Sequence, residues 1–174
     1  ITAMLRDAMK IKPASNRASR QKSSNTPPEV LRLNYNESHF GMSPKAMEAL
    51  IESAKKTHTY PDWFAIDLKE AIGEYFGVDK NCVVPTAGSS ALIDMLGEIF
   101  INPGDEVIIF APYFPEYYVF IKSVGGIVKV VQTYETDGFI PNFKNLEQNI
   151  NEHTKMIIIN SPNNPSGVIY SKEN

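Results

Sequence analysis

The sequence predicts an α/β protein whose sheet is mostly parallel. Three observations carry that expectation. Between residues 81 and 160, short strand-like runs alternate with amphipathic helical ones. Runs such as "VIIF" and "MIII" are apolar without a break, as strands covered on both faces are. The connections after them are dense in Gly, Pro, Asn and Ser, which suits turns at the carboxyl ends of strands, where sheets of this kind bind ligands.

The elements follow in order. Residues 1–30 read as an arm: "PASNRASRQKSSNTPP" has no apolar period, and six basic side chains (Arg6, Lys10, Lys12, Arg17, Arg20, Lys22) outnumber Asp7 and Glu29. Either a disordered tail or an arm packed on a partner subunit fits it. "SPKAMEALIESAKK" predicts a helix with Ser43 as N-cap, Pro44 at its first position, and Ala46, Leu50 and Ile51 on one face. "FAIDLKEAIGEYFG" predicts a second, with Ile66, Leu68, Ala71, Ile72 and Phe76 as its apolar stripe and Gly77 as its stop. "NCVVP" reads as a short strand, and "SSALIDMLGEIF" as a helix opened by Ser89 or Ser90. Then come strand "EVIIF", helix "PEYYVFIKSVGG", strand "IVKVVQ", short helix "NFKNLEQNI" and strand "KMIIIN". The segments group as arm 1–30, a linking segment 31–60, and a sheet-bearing region 61–174.

Composition narrows the function classes. Of 174 residues, 43% are hydrophobic and 21% charged, which fits a soluble globular chain. A net charge of −3 gives no reason to expect nucleic acid as a partner. No apolar run approaches the roughly 20 residues that span a bilayer, so no membrane partner is expected. Cys82 is the single cysteine, which excludes an intrachain disulfide and leans towards a reducing, cytoplasmic setting. His39, His58 and His153 lie far apart without ligand spacing, so no metal is expected. The chain opens at Ile1 rather than Met, as processing or trimming would leave it.

Three loops suggest chemistry. In "TAGSS" (86–90), Gly88 allows close backbone approach, while Ser89, Ser90 and the free N–H groups of the helix start could hold a phosphate; a simple helix cap is the other reading. "APYFPEYY" presents Tyr113, Phe114, Tyr117 and Tyr118 at a strand end, either to stack on a planar ligand or to fill the core. In "SPNNPSG" (161–167), Pro162 and Pro165 restrict the chain around Asn163 and Asn164, so that an amide can be aimed with little entropic cost. Such an amide would stabilise a phenolate-like oxygen. Phosphate cradle, aromatic platform and fixed amide together suit pyridoxal 5′-phosphate.

With those loops in view, the sequence resembles the fold-type-I, pyridoxal-phosphate-dependent aminotransferases of class I/II, and most of all their histidinol-phosphate aminotransferase branch. The resemblance rests on "LNYNES", "GMSPKAMEAL", "TYPDWFAIDLKEAIGEYFGV", "TAGSSALIDML", "PGDEVIIFAPYFPEYY" and "SPNNPSGVIY", collinear from about residue 31 to 170. "SPNNPSG" carries the family's Asn-Pro-Thr/Ser-Gly signature and is the most specific. The resemblance implies a large-domain sheet preceded by an arm and the start of a small domain. It implies that Gly88, Ser89 and Ser90 hold the cofactor phosphate and that Phe114 stacks on the pyridine ring. Asn164 would bond the ring oxygen and help orient the substrate carboxylate. Tyr60 would reach the phosphate of the neighbouring subunit in a homodimer, and Asn36 would lie near the substrate entrance with Glu37.

The family's Schiff-base lysine, ring-nitrogen aspartate, second tyrosine and anion-binding arginines follow the signature loop, and no lysine here stands in a matching context. The expectation is therefore the N-terminal part of a longer enzyme, inactive by itself, that transfers an amino group from a donor to a keto-acid acceptor. A decarboxylase of a phosphorylated amino acid and a β-lyase share this half of the fold. Two other classes stay open: a non-catalytic cofactor-binding regulator, against which the short polar arm speaks, and a nucleotide-binding α/β protein, for which no Walker or GxGxxG motif is present.

Overall fold

The computed structural model describes residues 33–171; the predicted arm lies outside them. The described residues form two compact units, 33–85 and 86–171.

The first unit carries helices α1 (Pro44–Ala54) and α2 (Ile66–Phe76). Ser43 caps α1 as expected, its Oγ accepting the Ala46 N–H at 3.3 Å, with Pro44 beginning the helix. Asp62 accepts the N–H groups of Phe64 and Ile66 at 2.9 and 2.5 Å, and these bonds hold its carboxyl below the usual range. Gly77 ends α2 in the left-handed region at φ 67°. Leu50 and Ile51 of the α1 face and Ile66, Leu68 and Phe76 of the α2 stripe are exposed, while Ile72 is half-buried. An amphipathic stripe shows which face seeks a partner without naming that partner.

"NCVVP" is also corrected. Lys80–Cys82 form a 3₁₀ turn started by Asp79, whose Oδ1 accepts the Asn81 N–H at 2.8 Å. Val83 leaves it in extended conformation at φ −105°, ψ 125°, and no strand pairs with it among the described residues. Extended backbone becomes sheet only when a neighbour takes its N–H and C=O groups.

The second unit is the α/β core. Its elements run α3 (Ser89–Phe100), β1 (Glu106–Ala111), α4 (Glu116–Ser123), β2 (Ile127–Gln132), α5 (Phe143–Asn149) and β3 (Thr154–Ile158). The sheet has the order β2-β1-β3, and both pairings are parallel, as expected. The first strand paired is therefore the central one, and Val107, Ile108 and Ile109 are entirely buried. Their burial contributes about 1.5–3 kcal/mol each. Successive side chains serve opposite faces: Val107 and Ile109 pack with Ile101, Tyr117 and Ile121 on the α3–α4 side, Ile108 and Phe110 with Val131 and Leu146 on the α5 side. Among the described residues β3 lies at the sheet edge and its burial alternates, with Ile157 exposed, so "MIII" is not covered on both faces there.

Turn chemistry fixes the connections. Gly125, at φ 83°, ends α4: its N–H reaches the Lys122 carbonyl and that of Gly126 the Ile121 carbonyl, the paired bonds of a Schellman stop. Asn142 caps α5, its Oδ1 accepting from Lys144 and Asn145. Glu106 joins β1 to its neighbours: Asn151 Nδ2 donates to it at 2.7 Å and Lys129 Nζ lies 3.3 Å away.

Candidate functional site

The three loops singled out by sequence are built around the carboxyl ends of β1 and β3 and the start of α3. Adjacent parallel strands bring the first two together: Ile109 of β1 lies opposite Ile158 of β3, so both strands end towards the same side. Thr133 closes the other flank, its N–H and Oγ both donating to the Ala111 carbonyl at 3.0 and 2.6 Å.

The start of α3 is open. Its N-cap is Gly88, not a serine, at φ 86° and ψ 167°, where a side chain is strained. Thr86 Oγ1 donates to the Gly88 carbonyl, and the Gly88 N–H to that of Thr86. No side chain caps the helix, which leaves donors of the first turn to an external acceptor. Ser89 and Ser90 are its first two residues. The helix-cap reading is thereby set aside for these serines. The Ser90 hydroxyl donates to Glu116 Oε2 at 3.0 Å.

The aromatic cluster divides. Tyr117 is core, and burial pushes its phenol up. Phe114 is half-buried, its ring 5.7 Å from that of Tyr117 at 82°, an edge-to-face contact that fixes it beside the strand end. A small cavity of about 10 Å³, room for a water molecule rather than a cofactor, lies beneath the loops between Tyr113, Tyr117, Tyr170, Asn160 and Asn163.

The signature loop gives its two asparagines different tasks. Asn163 is buried; its Nδ2 donates to the Pro112 carbonyl at 3.0 Å and to Ser166 Oγ at 2.8 Å. Its backbone closes the loop, N–H to the Val168 carbonyl at 2.8 Å and C=O from the Gly167 N–H at 2.7 Å. Asn164 is held through its main chain, the N–H donating to Asn160 Oδ1 at 2.8 Å. No partner for its side-chain amide occurs among the described residues. The bonds Ala111–Pro112, Ser161–Pro162 and Asn164–Pro165 are cis.

Two long-range hydrogen bonds therefore tie the three loops together, Asn163 to Pro112 and Ser90 to Glu116, across 51 and 26 residues. Sequence reasoning placed Gly88, Ser89, Ser90, Phe114 and Asn164 on these loops, but it missed Glu116 and Asn160 and gave Asn163 no task of its own. Only the polar character of "NN" beside an apolar strand hinted at a buried amide. In the other unit, Tyr60 is 88% exposed with its ring 6.0 Å from that of Trp63, and Asn36 adopts the left-handed conformation at φ 53°. No cluster of metal ligands occurs among the described residues.

Comparison with known proteins gives the family and the fold. Residues 28–174 match the family described as aminotransferase class I and II. A histidinol-phosphate aminotransferase of Paramagnetospirillum magneticum is 41% identical over 138 residues, covering 79% of this chain and 37% of that protein. One from Dehalococcoides mccartyi is 36% identical over 148 residues, covering 85% and 40%. Among solved structures, an aspartate aminotransferase of Thermotoga maritima superposes with a TM-score of 0.74 at 31% identity, covering 83% of this chain and 41% of that one. An aromatic aminotransferase of Pyrococcus horikoshii gives 0.72 at 31%, covering 79% and 39%. The chain thus spans about two fifths of the length of the curated relatives it matches. It belongs to the class I and II aminotransferase family.

Enzymes of that family depend on pyridoxal 5′-phosphate. The donor set suits such a group: an uncapped helix start, two serine hydroxyls and an amide with no partner among the described residues. One of these donors, the Ser90 hydroxyl, is taken by the carboxylate of Glu116.

Proposed function

We propose that the chain supplies the phosphate-holding and ring-contacting half of a pyridoxal-phosphate-dependent transaminase site. The names of its relatives favour a phosphorylated amine such as histidinol phosphate as amino donor, with a keto acid as acceptor. When bound, the cofactor supplies an electron sink that lets an amino group pass between carbon skeletons.

The residues of this chain hold and orient. The hydroxyls of Ser89 and Ser90 and the free N–H groups of the first turn that follows Gly88 would take the phosphate oxygens, favoured by the positive end of α3. Phe114 would lie against the ring. The Asn164 amide would donate to the ring oxygen, stabilising its charged form, and would meet the substrate carboxylate where there is one. Tyr60 would serve the phosphate of a neighbouring subunit in a homodimer, a role its exposure allows. Asn36 would stand at the substrate entrance. Within such an enzyme, residues 1–30 would form the arm, 31–60 the start of the small domain and 61–174 half of the cofactor domain.

One observation carries this reading most: Asn163–Pro112 and Ser90–Glu116 draw three loops of unrelated sequence position to one side of the sheet. The test is to incubate the intact enzyme that contains this chain with the cofactor, histidinol phosphate and a keto acid. Amination of the keto acid supports the reading. Release of CO₂ from a phosphorylated amino acid without amination would favour the decarboxylase instead.

A further inference from the structure

One group at the phosphate cradle is left without a task. Glu116 is the first residue of α4, and an acidic side chain there complements the positive end of its own helix. That role does not require Ser90. Yet Glu116 Oε2 accepts the Ser90 hydroxyl at 3.0 Å, across 26 residues, and Ser90 belongs to the first turn of α3, which no side chain caps. The carboxylate thus joins the starts of two helices and occupies a donor that a bound phosphate would need.

We propose that Glu116 is an internal anion that stands in for phosphate at the start of α3 and sets the affinity of the cradle for phosphorylated ligands. The inference rests on the assignment of Ser90 to phosphate. A serine hydroxyl has one proton to donate, so it serves either the carboxylate or the phosphate. A phosphate accepting from Ser90 would also lie within a few ångströms of Glu116 if the carboxylate stayed, and like charges so close repel. Capture of phosphate therefore requires Glu116 to release Ser90 and turn outward, which its exposure permits. The carboxylate keeps the Ser90 hydroxyl satisfied in the free protein and weakens binding of any anion that replaces it. Pyridoxal without its phosphate makes no demand on this corner.

The test is calorimetric titration of the cofactor-free intact enzyme with three probes: inorganic phosphate, pyridoxal 5′-phosphate and pyridoxal. The variants are Glu116→Gln, Ser90→Ala and the double substitution, with Glu116→Ala as a second neutral variant should the amide disturb folding. Removing one unit charge at this spacing should tighten inorganic phosphate and pyridoxal 5′-phosphate about ten-fold and leave pyridoxal unchanged. Ser90→Ala should weaken both phosphates, and part of the Glu116→Gln gain should vanish in its background. A role confined to the α4 terminus would move all three probes alike, and that result would overturn the proposal. So would unchanged or weaker phosphate binding by both neutral variants while Ser90→Ala still weakens it; the cradle would then stand without the internal anion. If Ser90→Ala leaves phosphate binding untouched in both backgrounds, the cradle assignment itself fails.

Discussion

Asn163→Ala offers the sharpest test of how the signature loop is held. The Asn163 side chain is 8% exposed and donates twice, to Pro112 O at 3.0 Å and to Ser166 Oγ at 2.8 Å. Each bond contributes about 1 kcal/mol net, and the Pro112 carbonyl left unpaired costs about 1 kcal/mol more. Truncation should therefore destabilise the fold by about 2–3 kcal/mol. Asn163→Asp keeps the shape but replaces the donor with an acceptor facing the Pro112 carbonyl, so it should cost at least as much as alanine above the carboxyl's titration range. Urea unfolding of the intact enzyme, followed by circular dichroism, gives the totals. Hydrogen exchange at the Asn163, Asn164 and Gly167 amides, which donate to Val168 O, Asn160 Oδ1 and Asn163 O, reports where the loss falls. These three amides should lose protection more than those of β1. Destabilisation under about 0.5 kcal/mol, or protection lost evenly over the sheet, would refute the argument that one buried amide fastens this loop to the β1 end.

Three further outcomes are expected. Gly88→Ala places a side chain at φ 86° with nothing within 4 Å to clash, so its cost is backbone strain alone, about 1–3 kcal/mol, read by thermal unfolding together with weaker phosphate binding. Gly126→Ala would set a Cβ 2.8 Å from Ile121 Cγ2 and 3.0 Å from Ile101 Cγ2 and the Ile121 carbonyl; overpacking of that kind costs about 1–3 kcal/mol, and phosphate affinity should stay unchanged. Glu106 accepts from Asn151 and faces Lys129, which hold its carboxyl below the usual glutamate range. Its contribution to stability is therefore full above the unfolded value near 4.3 and is lost as pH falls through the lower folded value. Unfolding followed against pH should show a shallower acid limb for Glu106→Gln than for the native chain.

Local order was legible where a short-range rule decides it. Ser43 and Pro44 announce α1, Gly77 its successor's stop, and the unbroken "EVIIF" the central strand, because each depends on neighbours in sequence or on burial from both sides. "NCVVP" failed for the opposite reason: a strand needs a ladder partner, and its own residues cannot name one. The exposed faces of α1 and α2 repeat the lesson, since amphipathicity marks the face to be covered without saying what covers it. At the site, residue types in the loops pointed to a phosphate and an amide, but the fastening did not show. Asn163 meets Pro112 across 51 residues and Glu116 meets Ser90 across 26, and no local pattern encodes either pairing. The split of labour in "NN", one amide bonded within the fold and one with no partner among the described residues, depends on which side chain the closed loop turns inward.

The central claim is that one ligand bridges the α3 start and the signature loop, and a partition of affinities measures it directly. Inorganic phosphate, pyridoxal and pyridoxal 5′-phosphate are titrated into the native enzyme, Ser90→Ala and Asn164→Ala. The account predicts that Ser90→Ala weakens the two phosphates and spares pyridoxal, while Asn164→Ala weakens pyridoxal and pyridoxal 5′-phosphate and spares inorganic phosphate. Pyridoxal 5′-phosphate binding that ignores either substitution would mean that the two corners serve different ligands.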